Sequence, residues 1–217
     1  MSDGVQTEGL PVEAPPEEQR EAPPEEQREA PPEQQREAAE PEARKETEQH
    51  APGALRIPEG VSVVQGSPNG SRRTVAITVS RFNGDISTKL LDGALAALDE
   101  AGVERDSVDV MPVPGAFELP LGALALAKTR RYACVIALGC VIRGDTPHFE
   151  YVAAEAASGL QVAALETGIP VSFGVLTCDN RRQAEIRAGG ARGNKGAEAA
   201  RAALEMADLV ARLRTTA

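Results

Sequence analysis

The stretch YACVIALGCVI at residues 132–142 decides the fold class of this chain. Its run of apolar side chains is nearly unbroken, which is typical of a strand covered on both faces of a parallel sheet. Shorter apolar or β-branched runs at 74–80, 108–113 and 171–176 are further strand candidates. Segments with helical spacing of apolar residues occupy 86–101, 118–129, 146–168, 183–187 and 194–212. This alternation predicts right-handed βαβ crossovers, and therefore an α/β fold whose open, doubly wound sheet has about four parallel strands.

Two local signals add detail to this map. Thr146 and Pro147 stand at the start of the third helical segment, and we expect Thr146 to cap the helix and Pro147 to be its first residue. Residues 61–64 (VSVV) form one more short apolar run before a turn-rich stretch, and we interpret this run as an isolated strand.

The N-terminal quarter of the chain is a repeat with its own composition. Residues 13–20 and 21–28 both read EAPPEEQR, residues 29–36 read EAPPEQQR, and residues 37–44 are a degraded copy. Each full copy has a Pro-Pro pair beside charged and amide residues and no large apolar side chain, so burial cannot offset the entropy of ordering. We therefore expect a disordered acidic tail, rich in Pro, Glu and Gln, at residues 1–57 and a folded domain at residues 58–217.

The net charge of −10 belongs to the tail. Residues 1–54 contain 15 acidic and five basic residues, which leaves 18 of each sign in residues 55–217. A neutral domain with an acidic arm lacks the clustered Lys and Arg that bind a phosphate backbone, so we expect no binding to nucleic acid.

Membrane, secreted and metal-binding classes are also poorly supported. No apolar stretch of about 18 residues occurs, and the N-terminus lacks the basic-then-apolar pattern of a secretory signal, so we expect a cytoplasmic protein without a membrane span. The three cysteines, Cys134, Cys140 and Cys178, show no C-x-x-C spacing, which argues against a disulfide framework or a zinc site.

Candidate functional residues follow the predicted strands. In a doubly wound sheet the ligand crevice lies beyond the carboxyl ends of the strands. Residues 80–83, 114–118 and 141–148 follow the first three strands, and Phe173 belongs to the fourth. A Gly-rich segment at 187–196 leads into the last helix. We expect the first four of these segments to meet at one edge of the sheet.

The segment after the third strand carries the most specific chemistry. Gly144, Asp145 and Thr146 open a helix whose free N–H groups and dipole suit an anion such as phosphate. His148, in the first turn, is the only histidine of the domain, and imidazole is the side chain suited to proton transfer near neutral pH. The alternative is that His148 only packs or hydrogen-bonds locally.

The other candidates have structural explanations of comparable weight. Arg187 and Lys195 flank the Gly-rich segment, which either approaches a phosphate or simply connects two helices. Exposed Phe82 would stack on a planar ring, and a buried Phe82 would fill the core. Glu118 begins a helix, where a carboxylate is favoured whatever its function.

Taken together, these segments resemble the 6,7-dimethyl-8-ribityllumazine synthase family. The resemblance rests on five motifs whose order and spacing are intact, and it extends from residue 60 to residue 214 without including the repeats. The motifs are Arg81-Phe82-Asn83, the segment PGAFELP at 114–120, the segment GCVIRGDTPHF at 139–149, Arg187-Ala188-Gly189 and the segment GNKGAE at 193–198.

The resemblance implies a three-layer, flavodoxin-like sandwich around a four-stranded parallel sheet. It also implies a transferase of riboflavin biosynthesis, which condenses 5-amino-6-(D-ribitylamino)uracil with 3,4-dihydroxy-2-butanone 4-phosphate to give 6,7-dimethyl-8-ribityllumazine, phosphate and water. No metal or redox cofactor is implied.

By position, the resemblance also implies roles for individual residues. His148 would be the catalytic proton donor and acceptor. Asp145, Thr146 and Arg187 would hold the phosphate, with Asp145 acting through its side chain or its backbone. The aminouracil would be bound by Phe82, Asn83, Ala116, Phe117, Glu118, Cys140, Val141, Ile142, Phe173 and Lys195.

The resemblance further implies a homo-oligomer built from pentamers, either single, stacked as decamers or closed into 60-subunit shells, with active sites at subunit interfaces. Residues 61–64 would then join a neighbour's sheet. Three alternatives stay open at this stage: a related enzyme that joins two lumazines to make riboflavin, a noncatalytic flavin- or lumazine-binding protein, and a shell-forming protein without activity.

Overall fold

The computed structural model of the protein describes residues 55–215. The strands of its main sheet are β1 (Val75–Ser80), β2 (Val108–Val113), β3 (Cys134–Ile142) and β4 (Val171–Cys178). The helices are α1 (Gly84–Glu100), α2 (Leu119–Lys128), α3 (His148–Thr167), α4 (Arg181–Arg187) and α5 (Lys195–Thr215). Single turns of 3₁₀ helix occupy Arg105–Ser107 and Ala116–Glu118, and a short hairpin is formed by β5 (Ala188–Gly190) and β6 (Gly193–Asn194).

The main sheet has the strand order β2-β1-β3-β4, and all its neighbouring strands are parallel. Val75 is in register with Val108 on one side and with Cys134 on the other. Val135 in turn pairs with Val171. Because all four strands point the same way, their carboxyl ends lie at one edge of the sheet, and the loops that follow them meet there.

Helices cover both faces of the sheet and form three layers. On one face, Val75, Ile77 and Ile136 pack with residues of α1 and α5, including Leu98 and Leu204. On the other face, the alternate strand residues Ala76, Val135 and Ala137 pack with Leu119 of α2 and Leu160 of α3. The first seven residues of β3 are all buried, as its unbroken apolar sequence predicts.

The α/β fold with a four-stranded parallel sheet is therefore confirmed. All four strands and five helices of the domain lie where the sequence pattern predicts them, with differences at their ends. Strand β4 runs two residues beyond the predicted end at 176, because Thr177 and Cys178 continue the pairing with Val141 and Ile142. Residues 1–54, which include the repeats and most of the predicted tail, lie outside the described residues.

The predicted start of α3 is wrong by one residue. The helix begins at His148 and not at Pro147, and Pro147 occupies the N-cap position that was predicted for Thr146. Thr146 therefore lies one position before the N-cap, and no side-chain hydrogen bond caps this helix. Residues 61–64 form no strand within the single chain, and the side chains of Val61, Val63 and Val64 are each more than half exposed. Within residues 55–215, no helix has the length and apolar character needed to cross a membrane.

A charged cluster attaches the segment before β1 to the last helix. Asp208 of α5 is nearly buried and accepts hydrogen bonds from the Ser67 backbone N–H at 3.0 Å, Arg73 at 2.9 Å and Arg212 at 2.8 Å. The bonds from Ser67 and Arg73 connect residues more than 130 positions apart in the chain. A nearly buried carboxylate with this many donors holds its partners in a fixed geometry.

Replacing Asp208 with Asn is expected to lower the free energy of unfolding at neutral pH. The hydrogen bond from Arg212, followed by the bonds from Ser67, holds the pKa of Asp208 below its usual value. A carboxyl with a depressed folded-state pKa stabilises the fold above its unfolded-state pKa, and this contribution is lost as the pH falls through the folded-state value. The difference in unfolding free energy between wild type and Asp208→Asn is therefore expected to shrink below about pH 4.

Urea denaturation across this pH range measures the effect. The matched control is Asp92→Asn, which changes an exposed carboxylate on α1. It is expected to show no such pH-dependent difference. A difference for Asp208→Asn that stayed constant from neutral pH down to about pH 3 would contradict the role of its charge.

Candidate active site

The carboxyl ends of β1, β2 and β3 enclose a groove with a volume of about 690 Å³, which we call the His148 groove. Four segments that are distant in sequence contribute to it: the loop after β1, the loop after β2, the end of β3 and the first turns of α3. Its lining residues are Phe82, Asn83, Gly115, Ala116, Phe117, Glu118, Cys140, Val141, Ile142, His148, Tyr151 and Val152.

Asn83 joins the loop after β1 to the end of β3. It adopts the left-handed conformation, with φ 54° and ψ 45°, and occupies the N-cap position of α1. Its side-chain amide donates a 2.9 Å hydrogen bond to the carbonyl oxygen of Cys140 at the end of β3. Asn tolerates this conformation better than most residues, and the sharp turn leaves Phe82 pointing outward. The Phe82 side chain is 72% exposed.

The loop after β2 places a carboxylate and one aromatic ring at the groove, beside the Phe82 ring from the loop after β1. Gly115 donates its backbone N–H to Oε2 of Glu118 at 2.9 Å, which holds the carboxylate against the start of the 3₁₀ turn Ala116–Glu118. A Cβ atom at position 115 would lie 3.2 Å from the Phe82 ring, so glycine here permits a close approach of loop and ring. Phe117 is 58% exposed, so both rings present apolar surface to solvent or to a ligand.

The end of β3 offers backbone groups to the groove. Cys140 is buried, and burial raises the pKa of its thiol to about 12. The neutral thiol is a poor nucleophile and belongs to the core. At this point a ligand can contact the backbone N–H and C=O groups of residues 140–142. It can also contact the half-exposed side chains of Val141 and Ile142.

The loop between β3 and α3 is fixed by Arg143. Its guanidinium pairs with Asp179 at 3.2 Å and with Glu150 at 3.1 Å, and it lies 4.4 Å from the centre of the Phe149 ring. The hydrogen bonds to Glu150 and to Asp179 raise the pKa of Arg143. This arrangement ties the end of β3 to β4 and to the first turn of α3, where His148 is exposed. Asp145 and Thr146 are exposed in the same loop.

Five of the predicted site residues do not line the His148 groove. Asp145 and Thr146 line neither this groove nor the next one described. Phe173, Arg187 and Lys195 line a second groove of about 650 Å³ along β4 and α5, which we call the Phe173 groove. Arg187 donates to the carbonyl of Gln183 at 2.9 Å, and Lys195 pairs with Glu198 at 2.6 Å. The two grooves share no lining residue. Within one chain, Arg187 therefore lines a different groove from His148.

Three lining residues of the His148 groove were not predicted: Gly115, Tyr151 and Val152. Tyr151 and Val152 follow His148 by three and four positions, which is the spacing of neighbours on one helix face. This spacing was therefore the signal that could have identified them. In residues 55–215, no three side chains of His, Cys, Asp or Glu are grouped as they would be to hold a metal ion.

This fold and this groove define an α/β protein with a small-molecule site at the carboxyl edge of a parallel sheet. Residues 72–211 match the family model described as 6,7-dimethyl-8-ribityllumazine synthase. Curated proteins of that name from Yersinia pestis strain Pestoides F and Yersinia pseudotuberculosis strain IP 31758 are 54% identical over 151 residues. Each alignment covers 69% of this chain and 97% of the relative. The chain belongs to the 6,7-dimethyl-8-ribityllumazine synthase family.

Replacing Asn83 with Ala is expected to lower the free energy of unfolding by about 2 kcal/mol. About half of this comes from the lost hydrogen bond to Cys140, and about half comes from placing a Cβ residue without a polar side chain in the left-handed conformation. Chemical denaturation measures the loss.

The control Asn83→Gly removes the same hydrogen bond and keeps the favourable backbone conformation. It is expected to be more stable than Asn83→Ala by about 1 kcal/mol. Equal stability of the two variants would show that the backbone conformation at position 83 carries no cost.

Proposed function

We propose that this protein is a transferase of riboflavin biosynthesis that condenses 5-amino-6-(D-ribitylamino)uracil with 3,4-dihydroxy-2-butanone 4-phosphate. The products are 6,7-dimethyl-8-ribityllumazine, phosphate and water. The observation that carries this proposal is the convergence of the family's motif residues in the His148 groove, since they come from four separate segments of the chain. The curated relatives are named for this activity, and their alignment with this chain covers nearly their whole length.

The aminouracil fits the composition of the His148 groove. The exposed Phe82 ring provides a flat apolar surface for stacking a pyrimidine. Backbone groups at Ala116, Phe117 and Glu118 and at Cys140, Val141 and Ile142 provide hydrogen bonds for the ring edge and the ribityl chain. Asn83 contributes by holding the turn after β1 against the end of β3.

The chemistry requires proton transfer and anion binding, and it requires no protein nucleophile. The 5-amino group of the uracil attacks the ketone and water leaves, which forms a Schiff base. Loss of a proton from the butanone part then accompanies expulsion of phosphate, which leaves an enol that takes up a proton and becomes a ketone. The ribitylamino nitrogen attacks this ketone, and a second water leaves as the ring closes. His148 receives and returns these protons from the mouth of the groove. The high pKa of Cys140 agrees with a reaction that uses no thiolate.

A complete site on this proposal needs two subunits. The His148 groove supplies the stacking surface and the proton carrier, and the Phe173 groove of a neighbour supplies Phe173, Lys195 and the phosphate ligand Arg187. The separation of the two grooves within one chain supports this arrangement. The exposed apolar side chains of Tyr151 and Leu165 on α3 also support contacts between subunits. The proposed assembly is a pentamer or a higher form built from pentamers.

The proposal also assigns a role to each of the two parts of the chain. Residues 58–217 carry the reaction in the cytoplasm, and residues 1–57 are an acidic tail that takes no part in it.

Replacing His148 with Gln is expected to lower the rate of phosphate release about 100-fold or more, because a general acid and base is lost. The assay follows phosphate and lumazine together and subtracts a protein-free blank, since the condensation also proceeds slowly without catalyst. The matched control is His50→Gln, which changes the chain's other histidine and is expected to leave the rate unchanged.

Three results would contradict this proposal. Equal rates for His148→Gln and wild type would remove His148 from the mechanism. Lumazine binding without phosphate release would identify a binding protein. Riboflavin formation from lumazine alone would identify the related enzyme that joins two lumazines.

Mixing two inactive variants tests the shared site. In a ring of subunits, a His148→Gln chain donates an intact Phe173 groove, and an Arg187→Ala chain donates an intact His148 groove. Coexpression at equal amounts is expected to restore about a quarter of the wild-type activity. Each variant expressed alone is the control. No recovery in mixed rings, whose formation is verified by mass spectrometry, would place the whole site in one chain.

A further inference from the structure

A third cavity lies at the opposite edge of the sheet. It has a volume of about 450 Å³ and is lined by the residues that precede β1, β3 and β4, including Thr74, Ala133 and Pro170. These are the amino ends of the strands, so the cavity is on the far side of the sheet from the His148 groove. Five of its lining residues are arginines, and we call it the arginine pocket: Arg72, Arg73, Arg130, Arg131 and Arg214.

The charges of the arginine pocket are only partly neutralised. Arg73 pairs with Asp208 at 2.9 Å, and Arg131 pairs with the exposed Asp109 at 3.6 Å. Arg214 donates to a backbone carbonyl and forms no ion pair with the residues that the structure describes. The side chains of Arg72 and Arg130 likewise have no carboxylate partner within residues 55–215. The five guanidinium groups of the pocket therefore have only two carboxylate partners among the described residues.

Two of these arginines have an unusual backbone conformation. Among residues 55–215, three residues other than glycine have a positive φ: Arg72 at 61°, Arg130 at 58° and Asn83 at 54°. Positions of this kind favour Gly or Asn, and a long side chain there carries a conformational cost. The chain nevertheless has arginine at both positions, and both side chains line the same cavity.

A structural explanation accounts for part of this cluster. Arg130 follows α2, and Arg214 belongs to the last turn of α5, where the helix dipole favours positive charge. The dipole does not account for Arg72, which lies in the turn before β1. It also gives no reason for a cavity between these side chains.

We propose that the arginine pocket is an anion site, separate from the His148 groove, for a ligand with two or more linked phosphate groups. Guanidinium groups bind phosphate oxygens in pairs and remain charged at any physiological pH. Three guanidinium groups without a carboxylate match the three or four charges of a linked phosphate chain better than those of a single phosphate. The ligand is free oligophosphate or the phosphate chain of a nucleotide.

The test is isothermal titration of the full chain with tripolyphosphate, ATP and orthophosphate. Wild type is expected to bind tripolyphosphate and ATP and to bind orthophosphate more weakly. The double variant Arg72→Gly/Arg130→Gly removes the two side chains and keeps the backbone unstrained, because glycine adopts positive φ freely. It is expected to lose affinity for tripolyphosphate by about tenfold or more, without a lower unfolding midpoint.

Two controls separate this site from simple charge and from the active site. Arg105→Gln/Arg201→Gln removes two exposed positive charges elsewhere and is expected to keep wild-type affinity. Arg187→Ala removes the cation proposed for the active-site phosphate and is also expected to keep affinity for tripolyphosphate. ATP that binds more tightly than tripolyphosphate would identify a nucleotide as the ligand, and equal binding would identify the phosphate chain alone.

The proposal is overturned by any of three results: no binding of tripolyphosphate to wild type, equal affinity in Arg72→Gly/Arg130→Gly, or loss of affinity in Arg187→Ala. The anion-site proposal does not depend on the proposed reaction, because the titration measures binding and not turnover.

Discussion

Strand β3 is paired on both edges and covered on both faces, and the positions of the other elements follow from it. A strand without an exposed face needs an apolar residue at almost every position, and it needs helices above and below. Both conditions are met by the two cores that pack on its opposite sides. The parallel pairing then forces each connection to cross over through a helix, so the loops after β1, β2 and β3 emerge at a single edge.

This geometry explains why the candidate active site is assembled from short segments. The turn at Asn83, the hydrogen bond from Gly115 to Glu118, and the ion pairs of Arg143 each fix one loop. The rings and backbone groups left exposed by these bonds line the His148 groove. Phe173 and Lys195 do not line this groove. They belong to β4 and α5 and line the Phe173 groove along these two elements.

The sequence predicted which strands and helices are present more accurately than it predicted the residues at which they begin and end. The apolar run of β3 and the alternation around it were enough for the four strands and five helices. The cap predicted at Thr146 was wrong because a capping residue followed by proline is compatible with more than one helix start, and the N-cap lies at Pro147. The hairpin of β5 and β6 was missed, since its glycines at 189 and 193 carry no apolar pattern and only their positive φ values define the turn.

The sequence by itself determined the fold class, the family resemblance and most of the residues of the His148 groove, because periodicity and motif spacing are local properties of the chain. The tertiary structure alone decided which distant residues share a cavity. It placed Arg187 and His148 in different grooves, and it gathered five arginines from three segments of a formally neutral domain. Charge counts sum over the chain, whereas a binding site depends on distances in space, and those distances are set only when the sheet and its crossovers have formed.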